Sequence, residues 1–509
     1  MPEKVLYFGG GADLLRRYVG DESVDLIYDD PVWDLESPDP VPSLEEVSPS
    51  APPEGQVGRA LDLLQDLIGD PDVAAFLARA AERLGEFHRV LGPDGSLYLH
   101  TDPRLGPYLR LLADAVFGPD NHLNDIVLPL GAGYPGRAGC RRVHDTLLFY
   151  ARQRGRNVWN RVFQEHDPRY VQSHYRHRDG RGRRYRTSDL TASGRGSVGH
   201  EYTWNNVTRN WRVSEEEMKA LEAAGRIHYT RSGLAEYIRY LDEMPGMPLR
   251  DMWSDLPPLP PRDQEPVEGP VRAREALLAR VISAGSREGQ VFLAASCGAG
   301  AALVAAERLG RSWIGLTASY LDLALIRYEL RRQVGDPDGW RIVGEPTAIG
   351  EAVRLAQDDE RRFRWWVLGR VGARPVVPDV GPEAAVHGRL TFTDAPRRRE
   401  RRIVFRVKIG APDRTDVSRL REGLAREKAR LGVLISLTPP AEAIRREAAE
   451  AGVYDSPWGK YPVLQLLSVS DLFAGKGVQG PPRVPRPAPL PRRPEAAPNR
   501  LQLDLLDEG

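Results

Sequence analysis

Residues 24–33 read Val-Asp-Leu-Ile-Tyr-Asp-Asp-Pro-Val-Trp, an apolar run of strand length that ends in two carboxylates, a proline and an aromatic ring. A short apolar run bounded by turn residues is typical of a buried central strand. At its carboxyl end Asp30 can accept a hydrogen bond, Pro31 stiffens the turn, and the Trp33 ring can stack. The stretch predicts a binding place for a flat polar ligand. The alternative is that Asp30, Pro31, Val32 and Trp33 form only an ordinary exit from a strand into a loop.

Strand and helix patterns alternate around this run, which is typical of a doubly wound α/β fold. The predicted elements are a strand at 5–10, helices at 12–18, 73–90 and 108–116, a Pro-Asp-Gly turn at 93–95 before a strand, and a strand at 143–150. Residues 34–58 are acidic and rich in proline and serine, so they are predicted to form a loop rather than a helix. This loop could be a flap over the site or a disordered insert.

A second ligand motif lies near residue 297. An apolar strand, 291–294, leads into Cys297, Gly298 and Gly300, and a helix follows at 302–309. A strand, a Gly-x-Gly turn and a helix N-terminus form a general cradle for cofactors, and by itself this is a weak signal.

The segment 151–255 differs in character from its surroundings and is predicted to contact nucleic acid. Arginines crowd one part of it, with tyrosines between them and tryptophans after them. The residues expected to touch DNA are Arg176, Arg178, Arg181, Arg183, Arg184, Arg186, Trp204 and Trp211. Arginine binds phosphate and aromatic rings stack on bases; a solvated basic face is the alternative.

Charge and cysteine content limit the other classes of function. The 71 Lys and Arg balance the 71 Asp and Glu, so attraction to nucleic acid must come from local clusters. Two cysteines, far apart in sequence, exclude a disulfide framework, and no apolar run reaches the ~18 residues of a membrane span. A cytoplasmic protein without membrane contact is expected.

In order and spacing, residues 1–332 resemble the SAM-dependent DNA amino-methyltransferases that modify adenine N6 or cytosine N4. They are similar to the permuted group, in which the Asp-Pro-Pro-aromatic motif precedes the SAM motif. The resemblance implies a base pocket formed by Asp30, Pro31 and Trp33, with double-stranded DNA as partner. It also implies a SAM site at Cys297, Gly298, Gly300 and Thr317.

The chain departs from the family pattern at charged positions. Val32 replaces the second proline, Ala294 replaces an acid that faces the SAM amino group, and Thr317 replaces the acid that holds the ribose hydroxyls. A carboxylate accepts hydrogen bonds from both hydroxyls of a diol, which a threonine cannot do. SAM binding is therefore expected to be weak or absent.

Residues 340–475 resemble a PD-(D/E)xK nuclease domain of the Mrr-like restriction type. That chemistry needs two carboxylates to hold a divalent cation, and a lysine that assists the attacking water. By this resemblance His387 stands where the metal-binding acid belongs and Arg406 where Glu or Gln belongs, while only Lys408 matches. No bound metal and no DNA cleavage are expected.

These patterns predict an α/β protein with five segments. The segments are 1–150 (base half), 151–255 (DNA-recognition insert), 256–335 (SAM-motif half), 336–476 (nuclease-like domain) and 477–509 (a Pro/Arg-rich tail that could dock on a protein partner). The expected function is a DNA-binding pseudoenzyme in a restriction-modification or defence setting; an active SAM-dependent DNA amino-methyltransferase is the alternative. Target base, recognition sequence, oligomeric state and partner proteins stay open.

Overall fold

The computed structural model describes residues 4–31, 55–134, 139–192, 199–244, 246–260, 272–335, 339–377, 385–393 and 400–482. The chain divides into two compact units. The first contains residues 1–160 and 251–490, and the second contains residues 161–250 with 491–509. Residues 161–250 of the second unit lie within the predicted insert at 151–255.

The N-terminal part of the first unit alternates strands and helices. Its elements are β1 (Lys4–Phe8), α1 (Gly11–Tyr18), β2 (Val24–Asp29), α2 (Gly55–Ile68), α3 (Pro71–Val90), β3 (Leu91–Thr101), α4 (Gly106–Phe117), β4 (His122–Tyr134) and β5 (Arg142–Ala151). Helix α3 begins where the Asp70 side chain accepts from the backbone N–H groups of Asp72 and Val73, with Pro71 at the first helical position.

Two details of this part differ from the sequence-based prediction. Residues 55–58, expected to be loop, form the first turn of α2, whose Leu61 and Leu64 are buried; the rest of the predicted loop lies outside the described residues. The turn at Pro93, Asp94 and Gly95 lies inside β3 as an irregularity, since the pairing with β2 jumps from Leu91 to Ser96.

The second unit consists of short strands and two helices in its described part. Its elements are β6 (Phe163–Gln164), α5 (Pro168–His174), β7 (His177–Arg178), β8 (Arg184–Asp189), β9 (His200–Trp204), β10 (Val207–Trp211), α6 (Glu215–Ala223), β11 (Ile227–Tyr229), β12 (Ala235–Tyr240) and β13 (Met247–Pro248). Four strands form one sheet in the order β11-β12-β8-β7, and β9 pairs with β10 as a hairpin.

The chain then returns to the first unit. The elements are α7 (Arg272–Gly285), β14 (Val291–Ala294), α8 (Ala301–Arg308), β15 (Ser312–Thr317), α9 (Tyr320–Gln333) and β16 (Trp340–Val343). They complete an eight-stranded sheet in the order β16-β1-β15-β14-β2-β3-β5-β4. Strands β16 to β3 in this order are parallel, whereas β5 and β4 run antiparallel to their neighbours. The predicted α/β fold is therefore confirmed, and the structure shows that its large sheet is mixed.

Helices cover the central strands on both faces, so these strands are almost continuously apolar. On one side α3 buries a stripe that repeats at helical spacing, which includes Phe76, Leu77, Leu84 and Phe87. Strand β2 is buried along nearly its whole length. This core fixes the carboxyl ends of β2 and β14, where the ligand motifs lie.

The C-terminal part belongs to the first unit as well. Its elements are α10 (Ile349–Asp358), α11 (Glu360–Arg370), β17 (Arg374–Pro375), β18 (Gly388–Thr393), β19 (Glu400–Lys408), α12 (Arg414–Arg426), β20 (Leu431–Ser436), α13 (Glu442–Ala449), β21 (Val453–Ser456), β22 (Gly459–Pro462), β23 (Leu464–Ser468) and α14 (Val469–Phe473). The sheet order is β17-β18-β19-β20-β23, with β19, β20 and β23 parallel.

Two ion pairs join this part to α9. Arg374 pairs with Glu329 at 2.9 Å, and Arg327 pairs with Glu345 at 2.5 Å. Strand β16 falls in the segment predicted as nuclease-like, yet it pairs with β1 in the large sheet. Beyond residue 482 the predicted tail lies outside the described residues.

Candidate functional site

The two ligand motifs meet at the carboxyl edge of the large sheet. Strands β14 and β2 are parallel neighbours, with Leu293 beside Ile27 and Ala294 beside Tyr28. From β14 the chain passes through α8 to β15 on one side, and from β2 through α3 to β3 on the other. A crevice forms where the winding direction reverses, and open α/β sheets bind ligands there. Asp30 and Pro31 thus lie near the glycine turn at 297–300.

The backbone conformation of the glycine turn requires glycine at positions 298 and 300. Gly298 and Gly300 have φ values of 48° and 92°, and such positive values favour glycine. A Cβ on Gly300 would lie 3.1 Å from the Cα of Ile326 in α9, so glycine also permits this close packing. Cys297 is buried, and burial raises the pKa of its thiol, so the side chain is an inert part of the turn.

Thr317 lies at the end of β15 and is buried. Its hydroxyl oxygen accepts a hydrogen bond from the backbone N–H of Ser319 at 3.3 Å, and its carbonyl accepts from Gly9 at 3.0 Å. A buried hydroxyl that is already hydrogen-bonded within a local turn can accept fewer hydrogen bonds from a ligand diol than a carboxylate can. Asp322, in the first turn of α9, is the next acid along the chain, and burial raises its pKa to about 6.

Asp30 is 6% exposed and is held by an arginine from another element. Arg274 of α7 donates to its Oδ2 at 2.6 Å, and the Nδ1 of His100 lies 3.6 Å from the same oxygen. His100 is hydrogen-bonded to the Tyr28 hydroxyl at 2.9 Å and to Asp145 Oδ2 at 3.3 Å. The Asp30 carboxylate is therefore part of a charged network.

Asp29 is held in a similar way beside the glycine turn. Arg83 of α3 donates to Asp29 Oδ1 at 2.5 Å, and the Ser296 hydroxyl donates to the same oxygen at 2.7 Å. Burial raises the pKa of the Asp29 carboxyl, while the charge of Arg83 opposes the rise.

Sequence reasoning missed Arg83, Arg274 and His100. Arg83 sits in an amphipathic helix where an arginine is normally solvated, and nothing local connects it with Asp29, 54 residues earlier. Trp33 and Val32, predicted beside Asp30 and Pro31, lie outside the described residues.

In the second unit the six arginines divide into two groups. Arg176, Arg178, Arg181 and Arg184 are exposed. Arg183 pairs with Asp242 at 2.8 Å and with Glu243 at 2.7 Å, and Arg186 donates to the Tyr170 hydroxyl at 2.8 Å. The four exposed side chains can serve phosphate contact, whereas the other two stabilise the unit internally.

Trp211 was predicted to contact DNA, and the structure corrects this. Its ring is 0% exposed and packs in a cluster with Leu190 and Met218, while its Nε1 donates to the Tyr202 carbonyl at 3.0 Å. A buried ring cannot stack on a base. Trp204 is half-buried, and its Nε1 donates to the Tyr229 hydroxyl at 3.1 Å.

Trp211→Ala is expected to lower the free energy of unfolding of the second unit by about 3–5 kcal/mol, because it opens a large cavity. Trp204→Ala, which removes a partly exposed ring, should cost clearly less. Urea unfolding followed by far-UV circular dichroism measures both. Unchanged unfolding together with weaker DNA binding in Trp211→Ala would reinstate the stacking role.

The structure brings the three predicted nuclease-like residues together, with His387 just before β18 and the other two on β19. The His387 Nδ1 accepts from the Val407 backbone N–H at 3.0 Å. Arg406 lies 3.4 Å from Asp416 Oδ1, and Lys408 lies 3.2 Å from Asp416 Oδ2. The acid of this cluster, Asp416 of α12, was not found from sequence. In the described part of the chain no group of three or more His, Cys, Asp or Glu side chains could hold a metal ion.

No helix within the described ranges combines the length and the apolar character that crossing a bilayer requires.

Several known proteins are similar to this chain. Type II methyltransferase M.EcaI of Enterobacter cloacae is 24% identical over 253 residues, which are 48% of this chain and 55% of that protein. The chain thus spans about half the length of this curated relative. Among solved structures, TTHA0409 of Thermus thermophilus, described as a putative DNA modification methylase and complexed with S-adenosyl-L-methionine, has a TM-score of 0.35 at 15% identity. The match covers 67% of this chain and 100% of that one.

A second solved structure is the PvuII DNA methyltransferase, which is cytosine-N4-specific. It has a TM-score of 0.29 at 13% identity, covering 64% of this chain and 85% of that one. The family model for N6 and N4 enzymes, described as DNA methylase, matches residues 24–325. Because this match extends over more than half of the chain, from the Asp-Pro strand through the glycine turn into α9, the chain belongs to the N6/N4 DNA methylase family.

Proposed function

We propose that this chain is a DNA-binding member of its family that has lost methyl transfer, acting in a restriction-modification or defence setting. The observation that carries the proposal is the 2.6 Å pair between Arg274 and Asp30. In the family role Asp30 accepts a hydrogen bond from the amine of a flipped base. Here Oδ2 of that carboxylate already has a charge-assisted partner, with which a neutral base amine must compete.

The cofactor side supports the same conclusion. Ala294 and Thr317 stand where the family has acids, and each lost charge-assisted hydrogen bond weakens binding by about 1.5–3 kcal/mol. Two such losses lower the affinity for SAM by roughly two to four orders of magnitude. The residues present therefore do not fit SAM in the manner of the family.

The unmodified protein is expected to transfer no methyl group from radiolabelled SAM to unmethylated genomic DNA, even at enzyme concentrations above that of the DNA sites. The variant Arg274→Gln with Ala294→Asp and Thr317→Asp restores the acids and frees Asp30, and it should gain measurable transfer. Arg280→Gln is the matched control, because Arg280 lies on the same helix but pairs with Asp255. Transfer by the unmodified protein would refute the proposal.

The second candidate is an active DNA amino-methyltransferase that uses SAM. One observation favours it: Asp29, on the strand beside β14, keeps a carboxylate at the glycine turn despite Ala294. The same transfer assay distinguishes the two candidates.

For the C-terminal part we propose a nuclease-like domain that no longer cuts DNA. This is supported by the guanidinium of Arg406 at Asp416, since an additional positive charge there opposes binding of a divalent cation.

Supercoiled plasmid incubated with the protein and magnesium or manganese is expected to stay intact. Gel electrophoresis measures nicking, and Lys408→Ala serves as the control for contaminating nucleases. Nicking that disappears in Lys408→Ala would show an active site.

A further inference from the structure

Asp29 lies at the carboxyl edge of the large sheet, next to the glycine turn. It is the last residue of β2, and the backbone N–H of Ala295 donates to the carbonyl of the preceding Tyr28 at 3.0 Å. Its carboxylate, 3% exposed, accepts from the Ser296 hydroxyl in the glycine turn. A carboxylate is therefore present at the start of the glycine turn, but it comes from β2 and not from β14, the strand that leads into the turn.

Arg83 reaches the same point from α3. Its Nη2 contacts Asp29 at 2.5 Å, the Ala295 carbonyl at 3.2 Å and the Ser296 hydroxyl at 3.3 Å. Its Nε lies 3.8 Å from where a Cβ on Gly11 would be. The guanidinium thus lies among the segments that follow β1, β2 and β14, which together line the crevice.

The hydrogen bonding of Arg83 is incomplete. Its Nε is buried and has no hydrogen-bond partner among the described residues. An unpaired buried donor carries a desolvation cost. The attraction between the guanidinium and the buried Asp29 carboxylate compensates, because a buried carboxylate needs a cation nearby.

We infer that Asp29 is the cation-binding acid of the crevice and that Arg83 occupies it as an internal cation, in the place of a ligand ammonium group. A cationic nucleoside ligand such as SAM can reach Asp29 only if Arg83 leaves. The inference extends the proposed function by giving a cause for weak cofactor binding besides the replaced acids. It predicts that removing one arginine reveals a cationic ligand site.

The test is calorimetric titration of SAM into the full-length protein and its variants. Arg83→Met keeps the length and apolar stem of the side chain but removes the charge, and it should bind SAM at least about tenfold more tightly than the unmodified protein. Adding Asp29→Asn to Arg83→Met should abolish the gain. Arg79→Met, which removes an exposed arginine one turn earlier on α3, should change nothing. Titrations at about pH 8.5 keep Asp29 ionised once its partner is gone, because burial raises its pKa.

Thermal melting keeps the test decisive if Arg83→Met is unstable. That variant should melt at a lower temperature, the double variant should recover part of the loss, and excess SAM should raise the melting temperature of Arg83→Met alone. A folded Arg83→Met without improved SAM affinity, an equal gain in the double variant, or an unfolded Arg83→Met that SAM does not rescue would each overturn the inference. Methyl transfer by the unmodified protein would overturn the proposed function, whereas a folded Arg83→Met without improved SAM affinity would overturn the inference alone.

Discussion

Replacing Arg176, Arg178, Arg181 and Arg184 with alanine should flatten the salt dependence of duplex DNA binding by about 3.6 in log affinity against log salt. Each phosphate contact on duplex DNA contributes a slope of about 0.9, because binding releases a condensed counterion. The four side chains are exposed on the second unit. With a formal net charge of zero, the chain as a whole offers no general attraction that could replace them.

Fluorescence anisotropy of a labelled duplex over a range of salt concentrations measures the slope. Arg183→Ala is the matched control, because Arg183 belongs to the same run but is paired with Asp242 and Glu243. It should leave the slope nearly unchanged. The sequence alone does not separate Arg183 and Arg186 from the other four arginines. A four-arginine variant that included these two would show a smaller change in the salt slope. An unchanged slope in the four-arginine variant would show that the run is only a solvated face.

The second large effect is expected in the C-terminal part, where Asp416→Ala should lower the free energy of unfolding by about 3–5 kcal/mol. Asp416 is 1% exposed and is the acid partner of Arg406, which is itself 4% exposed. Breaking a buried ion pair removes the attraction between the two charges, while the cost of desolvating the remaining charge persists. Burial already lowers the pKa of the Arg406 guanidinium, and the charge of Asp416 opposes this. Asp416 also accepts from the backbone N–H of Asp413 at the start of α12.

Urea unfolding followed by circular dichroism tests this expectation. Asp455→Ala is the control, since Asp455 and Lys460 form an exposed pair at 3.9 Å and such pairs contribute less than ~1 kcal/mol. The double variant Arg406→Met with Asp416→Leu removes both charges and should recover most of the loss. Equal, small effects of Asp416→Ala and Asp455→Ala would mean that Arg406 finds water or another partner.

The prediction of the family from the Asp-Pro strand and the glycine turn is confirmed by the match over residues 24–325. The nuclease-like assignment of residues 336–476, the borders of the five segments and the roles of the site residues stay predictions. The described strands β18, β19 and β20 lie in that segment. They are neighbours in the order β18-β19-β20 within the five-stranded sheet.

Local pattern was sufficient for most strands and helices of the large sheet, because apolar periodicity and turn residues act within a few positions of the chain. It also predicted that Asp30 and Gly300 each follow a strand, and the structure brings both to one edge, since parallel strands in a doubly wound sheet share their carboxyl ends. It failed for the first turn of α2. There the burial of Leu61 and Leu64 against other elements stabilises the helix, although the sequence before it is rich in proline.

The state of the site depended on tertiary structure. Arg83 and Arg274 lie 54 and 244 residues from the carboxylates that they bind. The local sequence around Trp211 is typical of a surface aromatic residue, yet its side chain is buried in the folded unit. An arginine in a helix has the same local signature whether it points to water or to a buried acid. Only packing decides which, because the cost of burying a charge is offset by a partner that the fold, and not the neighbouring sequence, brings within reach.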